Sequence, residues 1–274
     1  MNRIGWCNLT WNPVWGCLNH CPYCYARGIA KRFGGVRAEQ EYYSHYWGNK
    51  RCAKGVNKTY IKNLGKDLRD FKLTFLYGQY FSIFPKKPQR IFVGSMSEIY
   101  YWENDWMEKV LYRIKEYPQH TFQFLTKYPE VYSRYIFPKN CWLGITITHA
   151  QEAYQPLHIA PENKDHIFFV CTEPMLDYIP IDLIDYADWI ILGAETGNRK
   201  GKVIPKKAWI LTMIEQLRHR NIPIYIKDSI LKLYPEVIDA YPSFHLYPEK
   251  DRYQWFRRTR IDWTKRKIIK GAKK

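Results

Sequence analysis

Six short apolar runs punctuate residues 90–226, and each gives way to polar residues at its C-terminal end. The runs are Arg90–Gly94, Thr121–Leu125, Cys141–Thr148, Ile167–Cys171, Trp189–Gly193 and Pro223–Ile226. Each is too short for a buried helix and suits a strand buried on both faces. Helical periodicity lies between several of them. Asn104 is placed to cap a helix with Trp106, Val110, Leu111, Ile114 and Tyr117 on one face. A second helix is expected from about Pro129. A third opens at Pro205 with Trp209, Met213, Ile214 and Leu217 inward, and ends at Arg218–Asn221. Apolar runs alternating with amphipathic helices predict an α/β fold with a parallel sheet. No Gly-rich dinucleotide fingerprint and no phosphate-cradling loop follows the first run, so an open or closed barrel is expected rather than a nucleotide-binding doubly wound sheet.

In such sheets function sits just beyond the C-terminal ends of the strands. Those positions carry Ser95, Ser97 and Glu98, then Thr126 and Lys127, Thr146 and Thr148, Thr172 and Glu173, Glu195 and Thr196, and Lys227 and Asp228. Any loop is polar, but six strand ends carrying hydroxyl, carboxylate or ammonium groups predict a polar pocket at one mouth. Upstream the pattern is weaker. Ile4–Gly16 is rich in Trp and turn residues, with Asn12-Pro13 as a turn signal. Tyr25–Phe33 reads as a short helix stopped by Gly34-Gly35, and residues 36–88 as helix, loop and one short strand.

Lys and Arg number 43 against 26 Asp and Glu, for a net charge of +17. The excess is local: residues 49–72 contribute +6 and residues 250–274 contribute +9, together +15 of the +17. Clustered cations displace counterions from phosphates, so a polyanionic partner is one reading and a solubilising tail the other. Tyr253, Trp255, Phe256 and Trp263 interleave with the arginines of the tail, where they would stack on bases or pin the tail to the domain. The apolar runs are too short to span a bilayer and Met1–Thr10 has no secretory pattern, so a cytoplasmic protein without membrane contact is expected.

Seven cysteines stand at positions 7, 17, 21, 24, 52, 141 and 171. Three crowd into Cys17-Leu-Asn-His-Cys21-Pro-Tyr-Cys24, a C-x3-C-x2-C spacing with Tyr23 before the last. Thiolates at one loop select zinc, copper(I) or an iron–sulfur cluster. Three thiolates on a four-iron cluster leave one iron open for a ligand. Alternatively Cys7 supplies a fourth thiolate, or His20 a nitrogen, and the site is structural zinc in a basic nucleic-acid-binding module. A non-catalytic iron–sulfur site is a further alternative. Cys141 and Cys171 read as core residues.

The spacing with its aromatic resembles the radical SAM superfamily. Thr10-Trp11-Asn12-Pro13, Cys24-Tyr25-Ala26, Phe92–Glu98, Phe124–Lys127, Trp142–Ile145, Glu173–Leu176 and Asp188–Gly197 are similar in order to an uncharacterised, phage-associated radical-SAM-like family. The resemblance implies a partial (β/α)6 barrel over 1–248, with a basic insertion at about 49–72 and a basic, aromatic tail at 249–274. It implies a [4Fe–4S] cluster on Cys17, Cys21 and Cys24 with Tyr23 packed beside it, and S-adenosylmethionine as second cofactor. It also implies a flavodoxin- or ferredoxin-type electron donor. The superfamily's usual Gly-Gly-Glu after the second strand is not present; Ser95, Ser97 and Glu98 occupy a comparable place, and Gly193-Ala194-Glu195 loosely matches a later region. Lys127, Glu173, Lys227 and Asp228 are the expected substrate contacts, and nucleic acid the leading substrate.

Overall fold

The computed structural model describes residues 4–35, 68–154, 160–237 and 247–248. The tail at 249–274, Cys52 and most of the basic insertion therefore lie outside the described residues. The six apolar runs form the parallel strands β4 (Arg90–Val93), β5 (Thr121–Thr126), β6 (Cys141–Thr146), β7 (Ile167–Thr172), β8 (Trp189–Leu192) and β9 (Ile224–Ile226). A seventh strand, β1 (Leu9–Trp11), pairs parallel with β4 at the edge of the sheet. It lies in the segment whose Trp and turn residues read as irregular. Three residues are too few to show a period, and only the register Leu9↔Ile91 to Trp11↔Val93 makes them a strand. A separate antiparallel pair joins β2 (Val14–Trp15) to β3 (Thr74–Phe75).

Strand order in the large sheet is β1-β4-β5-β6-β7-β8-β9, so the chain winds in one direction without a reversal. The sheet curls into a half-barrel. Four inter-strand spacings of roughly 4.8 Å would set β4 and β8 about 19 Å apart on a flat sheet. Yet the Trp6 ring lies 4.7 Å from Phe92 of β4 and 6.2 Å from Trp189 of β8. One indole reaches both strands because their inner faces turn toward each other.

Strand alternation sorts the core into two layers. Ile91, Val93, Phe122, Phe124, Leu143 and Ile190 face outward, into the cluster that also holds the buried faces of the two long helices. Phe92, Phe169, Cys171, Trp189, Ile191 and Tyr225 face inward with Trp6 and Cys7. Phe169 lies so flat across β6 that a Cβ on Gly144 would stand 2.3 Å from its ring.

The helices are α1 (25–35), the single turn α2 (Tyr77–Tyr80), α3 (Asn104–Lys115), α4 (Lys207–His219) and the short α5 (Asp228–Leu231). α3 begins one residue earlier than a cap at Asn104 would give: Glu103 is the N-cap residue, and Asn104 Oδ1 accepts from the Tyr135 hydroxyl at 2.5 Å. Met107, Val110, Leu111 and Ile114 are its buried face, while Trp106 and Tyr117 are half-buried at the rim. In α4 Ile210 takes the inward place and Trp209 is half-buried beside Lys206. The expected helix at Pro129 is a 3-10 stretch, Pro129–Ser133, and the described residues of the crossovers before and after β7 carry 3-10 turns. Side-chain clips serve there instead of helical ladders. The buried Tyr132 hydroxyl donates to Gly144 O at 2.7 Å, and Asn163 donates to the carbonyls of Tyr132 and Tyr135. α1 runs through Gly34, which packs against the backbone of Arg69 where a Cβ would meet its nitrogen at 2.7 Å. That close approach, rather than a helix stop, requires Gly34. No helix among the described residues is long and apolar enough to cross a membrane.

Candidate metal centre at the mouth of the half-barrel

The cysteine loop, residues 17–24, connects β2 to α1 and docks on the C-terminal exit of β4. Gly16 N–H donates to Met96 O at 3.2 Å, and Cys17 N–H donates to Phe71 O at 3.3 Å. Gly16 has φ +92°, and a Cβ there would lie 2.0 Å from Lys72 O, so only glycine fits the entry. Asn19 holds the loop to the barrel. Its Oδ1 accepts from the hydroxyls of Tyr101 at 2.9 Å and Tyr128 at 2.8 Å, and its N–H donates to Cys17 Sγ at 3.3 Å. Arg27 closes the other side, with Nη2 donating to Asn19 O at 2.8 Å and Cys17 O at 3.3 Å.

Cys17, Cys21 and Cys24 are half-buried thiols outside any disulfide. Burial pushes the Cys17 thiol up to about 11 against the opposing Asn19 N–H, with Glu98, Cys24 and Cys21 adding their negative charge. Burial also raises Cys21, while the Lys127 ammonium works against it. Among the described residues no group of three His, Cys, Asp or Glu side chains is gathered to hold one metal ion. Cys7 is buried with Trp6 in the inner aromatic cluster. His20 is exposed on the loop. The all-thiol donor set and the N–H bond to Cys17 Sγ fit a cluster.

Behind the loop lie the strand ends. Glu98 is buried, and its carboxylate accepts from the Thr126 hydroxyl, from Lys127 N–H at 3.0 Å and from Tyr100 N–H at 3.3 Å. These bonds occupy three of roughly four lone-pair positions. Glu98 therefore ties β4 to β5, and burial raises its pKa despite those donors. The Ser95 hydroxyl donates to Asn12 Oδ1 at 3.0 Å, and Ser97 Oγ accepts from Trp102 Nε1 at 3.1 Å, so both shape the turn after β4. Lys127 reaches the cysteine loop, with Nζ buried 5.5 Å from the centre of the Tyr23 ring. Burial works to lower its pKa, and Tyr23, Glu152 and Cys21 outweigh that, leaving it above the ordinary lysine value.

Farther round the rim, Glu173 pairs with Lys227, and its side chain crosses Gly193, where a Cβ would lie 2.8 Å from Glu173 Cγ. Glu195 is buried and takes a bidentate bond from Arg199, at 2.7 Å from Nε and 2.8 Å from Nη2. That guanidinium holds its carboxyl below the usual glutamate value. Asp228 is exposed at the start of α5. Thr148 donates to Glu152, with His149 Nδ1 2.9 Å from the same hydroxyl.

Part of this rim lines a cavity of about 580 Å³. Cys21 and Tyr23 form one wall; Lys127, Thr148, His149 and Arg199 are among the others. Of the expected residues, Cys21, Tyr23 and Lys127 share this cavity, while Glu98 holds the Thr126–Lys127 turn, Ser95 and Ser97 shape the turn after β4, and Glu173 and Lys227 neutralise each other. Asn19, Arg27, Tyr128, His149 and Arg199 were not singled out by the sequence. Asn19 lies inside the cysteine spacing itself and was legible as a candidate; the rest become visible only through contacts with distant segments.

No curated protein and no solved structure matches the chain. One family model does, across residues 1–230, which takes in all nine strands, the cysteine loop and every rim residue described above. The chain belongs to that family, described as Protein of unknown function (DUF5131).

Proposed function

We propose that the chain is a radical SAM enzyme whose Cys17, Cys21 and Cys24 hold a [4Fe–4S] cluster. The observation that carries this reading is a three-thiol loop at the C-terminal mouth of a one-way parallel half-barrel, on the rim of a 580 Å³ cavity. When bound, such a cluster supplies the electron that cleaves S-adenosylmethionine into methionine and a 5′-deoxyadenosyl radical. The chain's own residues would do the rest. Asn19 and Arg27 fix the loop, and the Asn19 N–H stabilises negative charge on Cys17. Glu98 holds the Thr126–Lys127 turn so that the ammonium stands at the cavity wall, where it would receive a carboxylate. The size suits a nucleoside-sized ligand, and Thr148, His149 and Arg199 of the loops after β6 and β8 line it.

The net charge of +17 supports a large anionic substrate, nucleic acid foremost. A flavodoxin- or ferredoxin-type donor and a cytoplasmic setting complete the reading. The test is 5′-deoxyadenosine formation. Protein reconstituted anaerobically with iron and sulfide is given dithionite and S-adenosylmethionine, beside Cys21→Ala. Product that requires Cys21 supports the proposal. Absence of product from fully loaded protein, with and without nucleic acid, sinks it, as does retention of zinc in place of iron.

A further inference from the structure

On the far side of the cysteine loop from the cavity, α1 and the turn at 68–72 enclose a second depression of about 490 Å³. Arg27, Lys31 and Arg69 line it with Asp70 and Phe71. Arg27 and Lys31 stand one helical turn apart on α1, a rise of about 6 Å. Among the described residues none of the three cations has a carboxylate partner within 4.0 Å, although Asp70 is beside them. Arg27 spends only Nη2 on the loop carbonyls and lays its guanidinium 5.3 Å over the Phe71 ring, which leaves its other N–H groups for a ligand. Three cations without carboxylate partners gathered in one depression match the successive phosphates of a strand backbone.

We infer that this depression binds the phosphodiester backbone of a nucleic-acid strand and lays it alongside the mouth of the half-barrel. The inference rests on the nucleic-acid substrate proposed above. Arg27 gives it a direct consequence: the side chain that would take a phosphate also holds the carbonyls of Cys17 and Asn19. A bound strand is then one residue from the cysteine loop.

The test compares two charge reversals of equal size in the full chain. Lys31→Glu with Arg69→Glu alters the depression; Lys86→Glu with Lys87→Glu alters exposed lysines before β4, at the N-terminal end of the strands, opposite the mouth. Lys31→Gln with Arg69→Gln serves if the reversal unfolds the chain. Binding of a labelled single-stranded oligonucleotide of about 20 nucleotides is followed by anisotropy between about 50 and 200 mM salt. The expected result is at least about 10-fold weaker binding by the depression pair and a salt slope reduced by about 1–2, against less than about 3-fold for the control pair. Equal losses from both pairs would overturn the site. So would displacement of the oligonucleotide by charge-matched polyglutamate or by inorganic phosphate as readily as by unlabelled oligonucleotide. 5′-Deoxyadenosine formation, measured with and without nucleic acid, separates the two proposals. Lost product with binding that still depends on Lys31 and Arg69 removes the radical reading alone, and retained product with unaltered binding removes this one alone.

Discussion

The lower inner face of the half-barrel and its mouth are carried by the same strands. Below, Trp6, Phe92, Phe169, Trp189 and Tyr225 fill the interior with tilted and edge-on ring contacts at 4.7–6.3 Å. Above, one or two residues farther along each strand, carboxylates and cations meet in pairs: Glu173 with Lys227 and Glu195 with Arg199. The lower layer is held by area removed from water, which is insensitive to pH and salt. The upper layer is held by hydrogen bonds and charge, which constrain direction more than they add stability. Polar groups that satisfy one another leave the cysteine loop and Lys127 as the groups turned to the cavity.

If that contrast is right, Trp189→Ala should be the most damaging change for folding, at about 3–5 kcal/mol, read from denaturant unfolding. Iron bound per folded molecule should stay the same. Glu98→Gln should cost about 1–3 kcal/mol, because one oxygen that accepts becomes an amide that cannot. It should also weaken S-adenosylmethionine binding measured by calorimetry, since the Lys127 turn loses its tie. Arg199→Gln should have a smaller effect that depends on pH. Arg199 holds the Glu195 carboxyl below its ordinary value of 4.5, so the pair stabilises the fold above that pH and the benefit is lost as pH falls through the lowered value. Urea midpoints of variant and parent should therefore differ at pH 7 and converge on acidification; a constant gap would show that the guanidinium acts by packing. Arg220→Ala, at the exposed Arg220–Asp182 pair on the outer surface, should change stability by less than about 0.5 kcal/mol.

The strands from 90 to 226 were readable because a parallel sheet covered on both faces writes continuous apolar runs. β1 was not, since three edge residues carry too little pattern. The crossover at Pro129 looked helical because Val131 and Tyr132 are apolar, yet their burial is served by a 3-10 turn clipped by Asn163 and Gly144. At the mouth the polar positions were legible and their partners were not. Glu173 and Lys227 are 54 residues apart, and Asn19 and Tyr128 are 109 apart, distances at which no local spacing carries information.

Local order along the chain was enough to set the βα alternation, the parallel sheet and three thiols on one loop, because each depends on neighbours within a few residues. Contacts between segments decided everything else. Curling of the sheet brought Trp6 onto β4 and β8 together, and the register of β1 with β4 put the cysteine loop over the exit of β4. Pairing across the rim determined that Glu98 and Glu195 serve the scaffold while Cys21, Tyr23 and Lys127 face the cavity. A side chain's chemistry is written in its type, but its availability depends on which distant groups have already taken its hydrogen bonds.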